Sequence, residues 1–238
     1  MFLAFRDGGE ELPSFVGDGR FEVILEVLGR RYDNSHMGAS SFATELRIRH
    51  LMPGRPSELD KKKELEGMTV VKFMEVAGKL LKNIAVLAFF HGNTNVDDVK
   101  KCGHMLVCLL KGKKGNSRGG GGGLPIKSMP VDRIAKLEAG KVGHILVSSK
   151  NECDKNTAVE HYYQIGSDNI DDLVLTALLV QLIDEPFFDN VRTKEQFGYS
   201  VSCSERWTGG IIGFVLRIVS SVKTAEQCSL RIDTFLDR

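Results

Sequence analysis

Residues 185–199 read Glu-Pro-Phe-Phe-Asp-Asn-Val-Arg-Thr-Lys-Glu-Gln-Phe-Gly-Tyr, and the two ends of this stretch decide how the chain around it is read. Pro186 suits the first position of a helix, whose N–H is unpaired in any case. Gly198 suits the left-handed residue that stops a helix, because it has no Cβ to clash. The pattern predicts one helix between them, anchored by Phe187, Phe188, Val191 and Phe197. Arg192, Lys194, Glu195 and Gln196 crowd its last turn and a half. Tyr199 then opens an alternating run, Tyr-Ser-Val-Ser-Cys-Ser-Glu, which has strand periodicity. A helix end hands over to a strand, with an arginine before the junction and a tyrosine after it.

Working outward on the C-terminal side, Trp207-Thr208-Gly209-Gly210 predicts a hairpin turn into a strand over Ile211–Val219. A last helix starts near Thr224 and still runs at Arg238, so the chain is expected to stop inside a domain. On the N-terminal side, Asp171–Asp184 is apolar nearly all round and reads as a buried helix led by Ser167 and Asp168. Before it, Thr157–Ile165 alternates as a strand, with Val159, His161, Tyr163 and Ile165 on one face. His144–Ser149 is a further strand candidate.

The first half of the chain reads mainly as helices. Asp18 can cap a helix that places Phe21, Ile24, Leu25 and Leu28 on one face; a second spans Ser40–Met52 and ends at Pro53-Gly54. Ser57 can cap a charged helix stopped by Gly67, and its Lys61–Lys63 run reads as a solvated face. Thr69 opens an amphipathic helix, and Asn95 caps one that buries Val99, Cys102, Leu106 and Leu110. Between these two, Ile84–Phe90 is apolar throughout and reads as a central strand. Lys111–Gly123 is a lysine- and glycine-rich run that cannot bury apolar area and reads as a linker. Helices and strands without regular βαβ alternation indicate α+β, an antiparallel sheet with helices packed on one side.

Composition bounds the function. An apolar content of 42% and a charged content of 26% are those of a globular protein. The net charge of +1 gives no electrostatic case for nucleic acid or an acidic membrane. No signal peptide or membrane-spanning run is evident. Five cysteines without a CxxC read as buried thiols in a reducing, cytoplasmic setting.

Arg192-Thr-Lys-Glu195-Gln196-Phe-Gly198-Tyr199 resembles the RxxEQxGY signature in the C-terminal half of the insulinase (pitrilysin) family of zinc metallopeptidases. The resemblance extends to Glu185-Pro186, His161-Tyr162-Tyr163-Gln164, His91-Gly92-Asn93 and Arg20–Ile24, and so covers nearly the whole chain. The only departure noted is Phe197, where the family usually has leucine. What the resemblance implies is a pair of partial domains of the insulinase-type (LuxS/metallohydrolase-like) fold. Residues 1–128, with a glycine-rich loop at 112–123, would end the third domain, and residues 129–238 would begin the fourth. It implies that Arg192 and Tyr199 project into a chamber, contact the substrate backbone and contribute to a zinc site carried by the N-terminal half. Glu195, Gln196 and Gly198 would support the motif's geometry. Implied partners are that N-terminal half and peptide substrates, with room for a homo-oligomer and none for nucleic acid or membrane. Zinc would be a cofactor of the whole enzyme, bound by the other half.

From the residues alone, Arg192 could equally complement the helix dipole and pair with Glu195 or Asp189, and Tyr199 could cover a sheet edge. His36, His50, His91, His104, His144 and His161 include no pair at HxxEH spacing, so no metal is expected on this chain. Cys102, His104 and Cys108 point in different directions on their helix, and His104 reads as solvated. No GxSxG elbow is present. The expected function is a fragment of a zinc metalloendopeptidase, inactive alone. The alternatives are a non-catalytic scaffold of the same family, or a polyanion-binding regulatory module using the lysine- and glycine-rich run.

Overall fold

The computed structural model describes residues 19–82, 88–111, 133–149 and 151–237. The N-terminal segment 1–18, most of the expected strand at 84–90 and the glycine-rich run at 112–123 lie outside the described residues. Helices come first: α1 (Arg20–Asn34), α2 (Ala39–Leu51), α3 (Glu58–Glu66), α4 (Val70–Lys82) and α5 (Val96–Lys111). There follow β1 (Thr157–Ser167), α6 (Ile170–Phe187) with a π-helical extension over Phe188–Lys194, β2 (Ser200–Thr208), β3 (Ile211–Ser220) and α7 (Ala225–Leu236).

The caps read from sequence do what their chemistry suggests. Ser57 Oγ accepts from the Asp60 N–H at 3.1 Å while Asp60 Oδ2 accepts from the Ser57 N–H at 3.0 Å, a reciprocal box at the start of α3. Thr69 and Asn95 accept from Lys72 and Asp98 at the starts of α4 and α5. α6 starts at neither Ser167 nor Asp168: its cap is Asn169, whose side chain accepts from the Asp172 N–H. α7 opens with a full capping box between Thr224 and Gln227.

Packing divides the chain into two units, one of Met1–Gly29 with Lys63–Pro130, the other of Arg30–Lys62 with Val131–Arg238. The division is therefore discontinuous, with Arg30–Lys62 grouping with the C-terminal elements. The linear boundary at 128/129 remains an inference from the family pattern. In the first unit, Phe21 of α1 meets Phe73 of α4 with ring centres 5.6 Å apart. Residues 88–90 form no ladder there, and Phe89 is exposed. Cys102 and Cys108 are exposed as well, as is Cys153 of the other unit, so only Cys203 and Cys228 are the buried thiols expected of all five.

The second unit contains a three-stranded antiparallel sheet in the order β1-β3-β2, and with its helices the α+β reading holds. β2 and β3 form the expected hairpin, turned by Gly209 and Gly210 at φ 54° and 79°. Positive φ at both central residues is what a two-residue turn needs to match strand twist. On one face, Val201, Cys203, Phe214, Leu216 and Ile218 of the sheet meet Val180, Phe187, Val191, Cys228 and Ile232 of α6, its extension and α7. The other face carries Glu160 and Arg217, and there α2 crosses β1: Thr44 and Arg47 both bond Glu160. The helices are thus concentrated on one side, with α2 added on the other. The coil at 133–149 is tied to β1 by Gln164, whose amide bonds Ala135 and Leu137. His144–Ser149, expected as a strand, has no ladder partner among the described residues and is exposed.

α6 departs from expectation in an informative way. Thr176, Val180 and Phe187 are buried against the core, but Val174, Leu175, Leu178 and Leu182 are each more than half exposed. Among the described residues nothing covers that second apolar face, so the expected all-round burial is not found.

His161 links β1 to α7, with Nε2 2.8 Å from Ser229 Oγ and Nδ1 3.4 Å from Asp233 Oδ1. Burial lowers its pKa below the usual histidine value; Asp233 pulls upward and His144 adds to the lowering. Tyr163 is the other neighbour, its hydroxyl 3.5 Å from Nδ1. Because the folded pKa is depressed, the unfolded chain takes up the proton first as pH falls, and the stability from the neutral ring is lost. The melting temperature is expected to fall between about pH 7.5 and about pH 5.5, with a shallower slope in His161→Asn. A slope unchanged by that substitution would contradict this.

Candidate functional site

The organising stretch folds differently from the single capped helix predicted for it. α6 does not begin at Pro186 but runs through it. Proline removes one intrahelical donor, and the helix adapts: the Phe188 N–H is shared between the carbonyls of Asp184 and Glu185, and the turns then widen over Phe188–Lys194. Phe187 and Val191, both fully buried, hold the widened helix against the core. At its end, Glu195 N–H reaches the Asn190 carbonyl at 3.1 Å and Phe197 N–H reaches that of Val191 at 2.9 Å.

The left-handed residue that closes this helix is Gln196, at φ 50°, and Gly198 does not have a positive φ. Gly198 serves another purpose. A Cβ there would lie 2.5 Å from the Val219 carbonyl oxygen and 3.0 Å from Ile218 Cγ2. Only glycine lets the chain pass this close to β3 before β2 begins.

This geometry brings Arg192 and Tyr199 together. Arg192 Nε donates to the Tyr199 carbonyl at 3.0 Å, and the guanidinium lies 5.2 Å from the centre of the Phe188 ring. The Tyr199 N–H is used by Val219, which leaves its side chain free to point outward. Both side chains are exposed and both line an open depression of about 490 Å3 with Thr193, Gln196, Gly198, Ser220, Ser221 and Val222. The pairing of Arg192 with Glu195 or Asp189 that local spacing allows is not what forms: Lys194 takes Asp189 at 2.6 Å.

Glu195 makes a two-pronged bridge to Arg231 of α7, at 2.6 and 2.7 Å. Arg231 is buried, and its Nη1 has no hydrogen-bond partner among the described residues. The bond with Glu195 raises the Arg231 pKa further, so the charge is permanent. Glu195→Gln would leave a buried cation without its carboxylate, which costs about 3–5 kcal/mol when full. Glu195 is itself 37% exposed, so a loss of about 1–3 kcal/mol is expected by chemical denaturation. An unchanged midpoint would show the bridge to be incidental.

Ser220, unremarked in the sequence, closes the floor of the depression. Its hydroxyl donates to the Phe197 carbonyl at 2.8 Å and accepts from the N–H groups of Val222 and Lys223. Ser220 and Arg231 carry no signal in the sequence because their contacts come from outside the local pattern; Phe188, read as an apolar anchor, also meets Arg192 four residues on.

Other chemistry is poorly served. Cys203 and Cys228 have thiol pKa values pushed up to about 11 by burial, which keeps them protonated and unreactive. Among the described residues no three His, Cys, Asp or Glu side chains converge on a point where a metal could sit. The donor set of the described residues does not fit zinc.

A family profile described as PQQ synthase PqqF-like, C-terminal lobe domain 4, matches residues 178–238, the segment holding the depression. The chain is 28% identical over 220 residues to a nardilysin-like protein of Arabidopsis thaliana, covering 91% of this chain and 21% of that one. It is 26% identical over 229 residues to the insulin-degrading enzyme of Homo sapiens, covering 95% and 22% respectively. Over nearly its whole length the chain is similar to insulinase-family proteins. It corresponds to the C-terminal half of insulinase-family proteins and spans about a fifth of the length of these two relatives. The crystal structure of pitrilysin shares its fold, with a TM-score of 0.68 over 98% of this chain and 23% of that one at 17% identity. In this chain the RxxEQxGY residues are a helix terminus, a strand start and a bridge to α7, gathered at one surface.

Proposed function

We propose that this chain is a segment of an insulinase-type zinc metalloendopeptidase, in which Arg192 and Tyr199 help stabilise the transition state of peptide hydrolysis. The observation that carries the reading is their shared position on the open depression, with Arg192 fixed by the Tyr199 carbonyl and the Phe188 ring. A structural arginine or a sheet-covering tyrosine would have no need to face solvent side by side.

The chemistry follows from the side chains. As a peptide carbonyl turns tetrahedral its oxygen gains negative charge, and a phenol hydroxyl can donate to it. A guanidinium nearby adds a charge that no change of pH removes. Arg192 is held in place before substrate arrives, so little reorganisation is needed at the moment of reaction. Ser220 and the Glu195–Arg231 bridge hold the loop that carries both groups. Zinc and the general base belong to the N-terminal half in this reading, with the peptide enclosed between the halves and the protein cytoplasmic. The linear domain division at about residue 128 is part of the same proposal.

The purified chain is expected to show no peptidase activity alone, while the full-length polypeptide carries an HxxEH motif upstream and cleaves peptides. Chelator-sensitive cleavage by the isolated chain, or an upstream frame without that motif, would overturn the assignment. The second outcome would favour a non-catalytic scaffold.

A further inference from the structure

Gln196 is held in a backbone conformation that its side chain does nothing to support. Its φ of 50° lies in the left-handed region, where an L side chain crowds its own backbone and glycine meets no such resistance. Among the described residues it is the only one besides glycines with a positive φ. The helix end that it closes is fixed by other groups. The N–H groups of Glu195 and Phe197 bond the carbonyls of Asn190 and Val191, and the Ser220 hydroxyl holds the Phe197 carbonyl. A glycine at 196 would allow every one of these contacts.

The neighbouring side chains behave differently. Glu195, one position earlier, gives both carboxylate oxygens to Arg231 of α7. Gln196 is exposed, and its carboxamide makes no hydrogen bond to any described residue. It lines the depression together with Arg192 and Tyr199, and Arg192 is the only charged residue of that lining. A carboxamide carries donors and an acceptor but no charge, so its natural match is another amide. In an extended peptide the N–H and C=O of one residue point to the same side, and a single carboxamide can meet both.

We propose that Gln196 is a substrate-binding residue, whose Nε2 donates to the carbonyl and whose Oε1 accepts from the N–H of one residue of an extended peptide. The inference rests on the peptidase reading given above. It departs from the supporting role that the motif implies for Gln196, and leaves that role to Glu195 and Gly198. Every peptide has the same main chain, so the contact holds substrates without reading their side chains. Tyr199 and Arg192 meet charge that develops during the reaction. Gln196 meets an amide that is there from the start, and so acts on binding and not on the chemical step.

The test combines thermal melting of the chain with steady-state kinetics of the full-length enzyme on two quenched fluorescent peptides, one of them free of Asn and Gln. Gln196→Gly removes the side chain and its crowding; Gln196→Met keeps the length and the conformation but not the amide. Both should raise KM about tenfold and leave kcat within about threefold, by the same factor for the two peptides. Gln196→Gly should melt within about 2 °C of the wild type or above it, and a larger fall would show that the side chain serves the fold. A KM raised by Gln196→Gly but not by Gln196→Met would trace the effect to a loosened loop, and a KM unchanged in both would leave the amide without a role. Either result overturns the proposal, as does a loss confined to the peptide that contains Asn or Gln. Tyr199→Phe is the reference. An unchanged kcat in that variant removes the peptidase reading of the junction and this inference with it. A lowered kcat there, beside an unmoved KM in both Gln196 variants, overturns this inference alone.

Discussion

Gly198→Ala is expected to cost about 2–4 kcal/mol of stability. The added carbon would sit 2.5 Å from the Val219 carbonyl oxygen and 3.2 Å from its carbonyl carbon. These are backbone atoms, not the tip of a side chain that could swing aside. The Val219 oxygen is also tied to the Tyr199 N–H at 3.0 Å, so moving it loosens the start of the β2–β3 ladder. The displaced segment is the one that presents Tyr199, so function should suffer with stability. Gly143→Ala supplies the contrast, since nothing lies within 4 Å of the new Cβ there, and it should fall within about 0.5 kcal/mol of wild type. Denaturant midpoints for the two variants check this directly. Equal midpoints would mean that the β2–β3 junction gives way more easily than its bonds imply.

In the full-length enzyme, Tyr199→Phe is expected to lower kcat by about 10²–10³-fold while leaving KM within a few-fold. The ring is kept and only the hydroxyl goes from an exposed side chain, so folding should be unaffected. Arg192→Gln should lower kcat comparably. It also loses the contact with the Phe188 ring and weakens the hold on the Tyr199 carbonyl, so a modest rise in KM should accompany it. The pattern matters more than the size. A residue that merely lines the depression would move KM and leave kcat alone; one that meets charge developing in the reaction moves kcat.

Much of the fold was legible because its signals are local. Ser57, Thr69 and Asn95 cap helices with their own side chains, and Gly209-Gly210 fixes a hairpin within the turn itself. The junction of Arg192 and Tyr199 was legible as a motif, but its geometry was not. Pro186 looked like a helix start because proline is most at ease there. In the structure, the burial of Phe187 and Val191 outweighs the lost hydrogen bond and carries the helix on as wider turns. Gly198 looked like a left-handed stop, whereas Gln196 takes that conformation and Gly198 answers a close approach from β3, a strand about twenty residues further on. No local pattern could have announced that contact. The exposed side of α6 fails for the opposite reason: its composition calls for cover, and among the described residues only the sheet side supplies any. The Arg47–Glu160–Arg217 group was likewise invisible, because its members lie 113 and 57 positions from the central carboxylate.

The central claim, that Tyr199 and Arg192 meet the reacting centre, is tested most directly by the affinity of the full-length enzyme for a tetrahedral phosphinate analogue of its peptide. If the account is right, Tyr199→Phe weakens that analogue by the same factor by which it lowers kcat/KM, about 10²–10³, while an uncleaved planar peptide binds as before. Analogue affinity unchanged in both variants would contradict it and would return the arginine and tyrosine to structural roles.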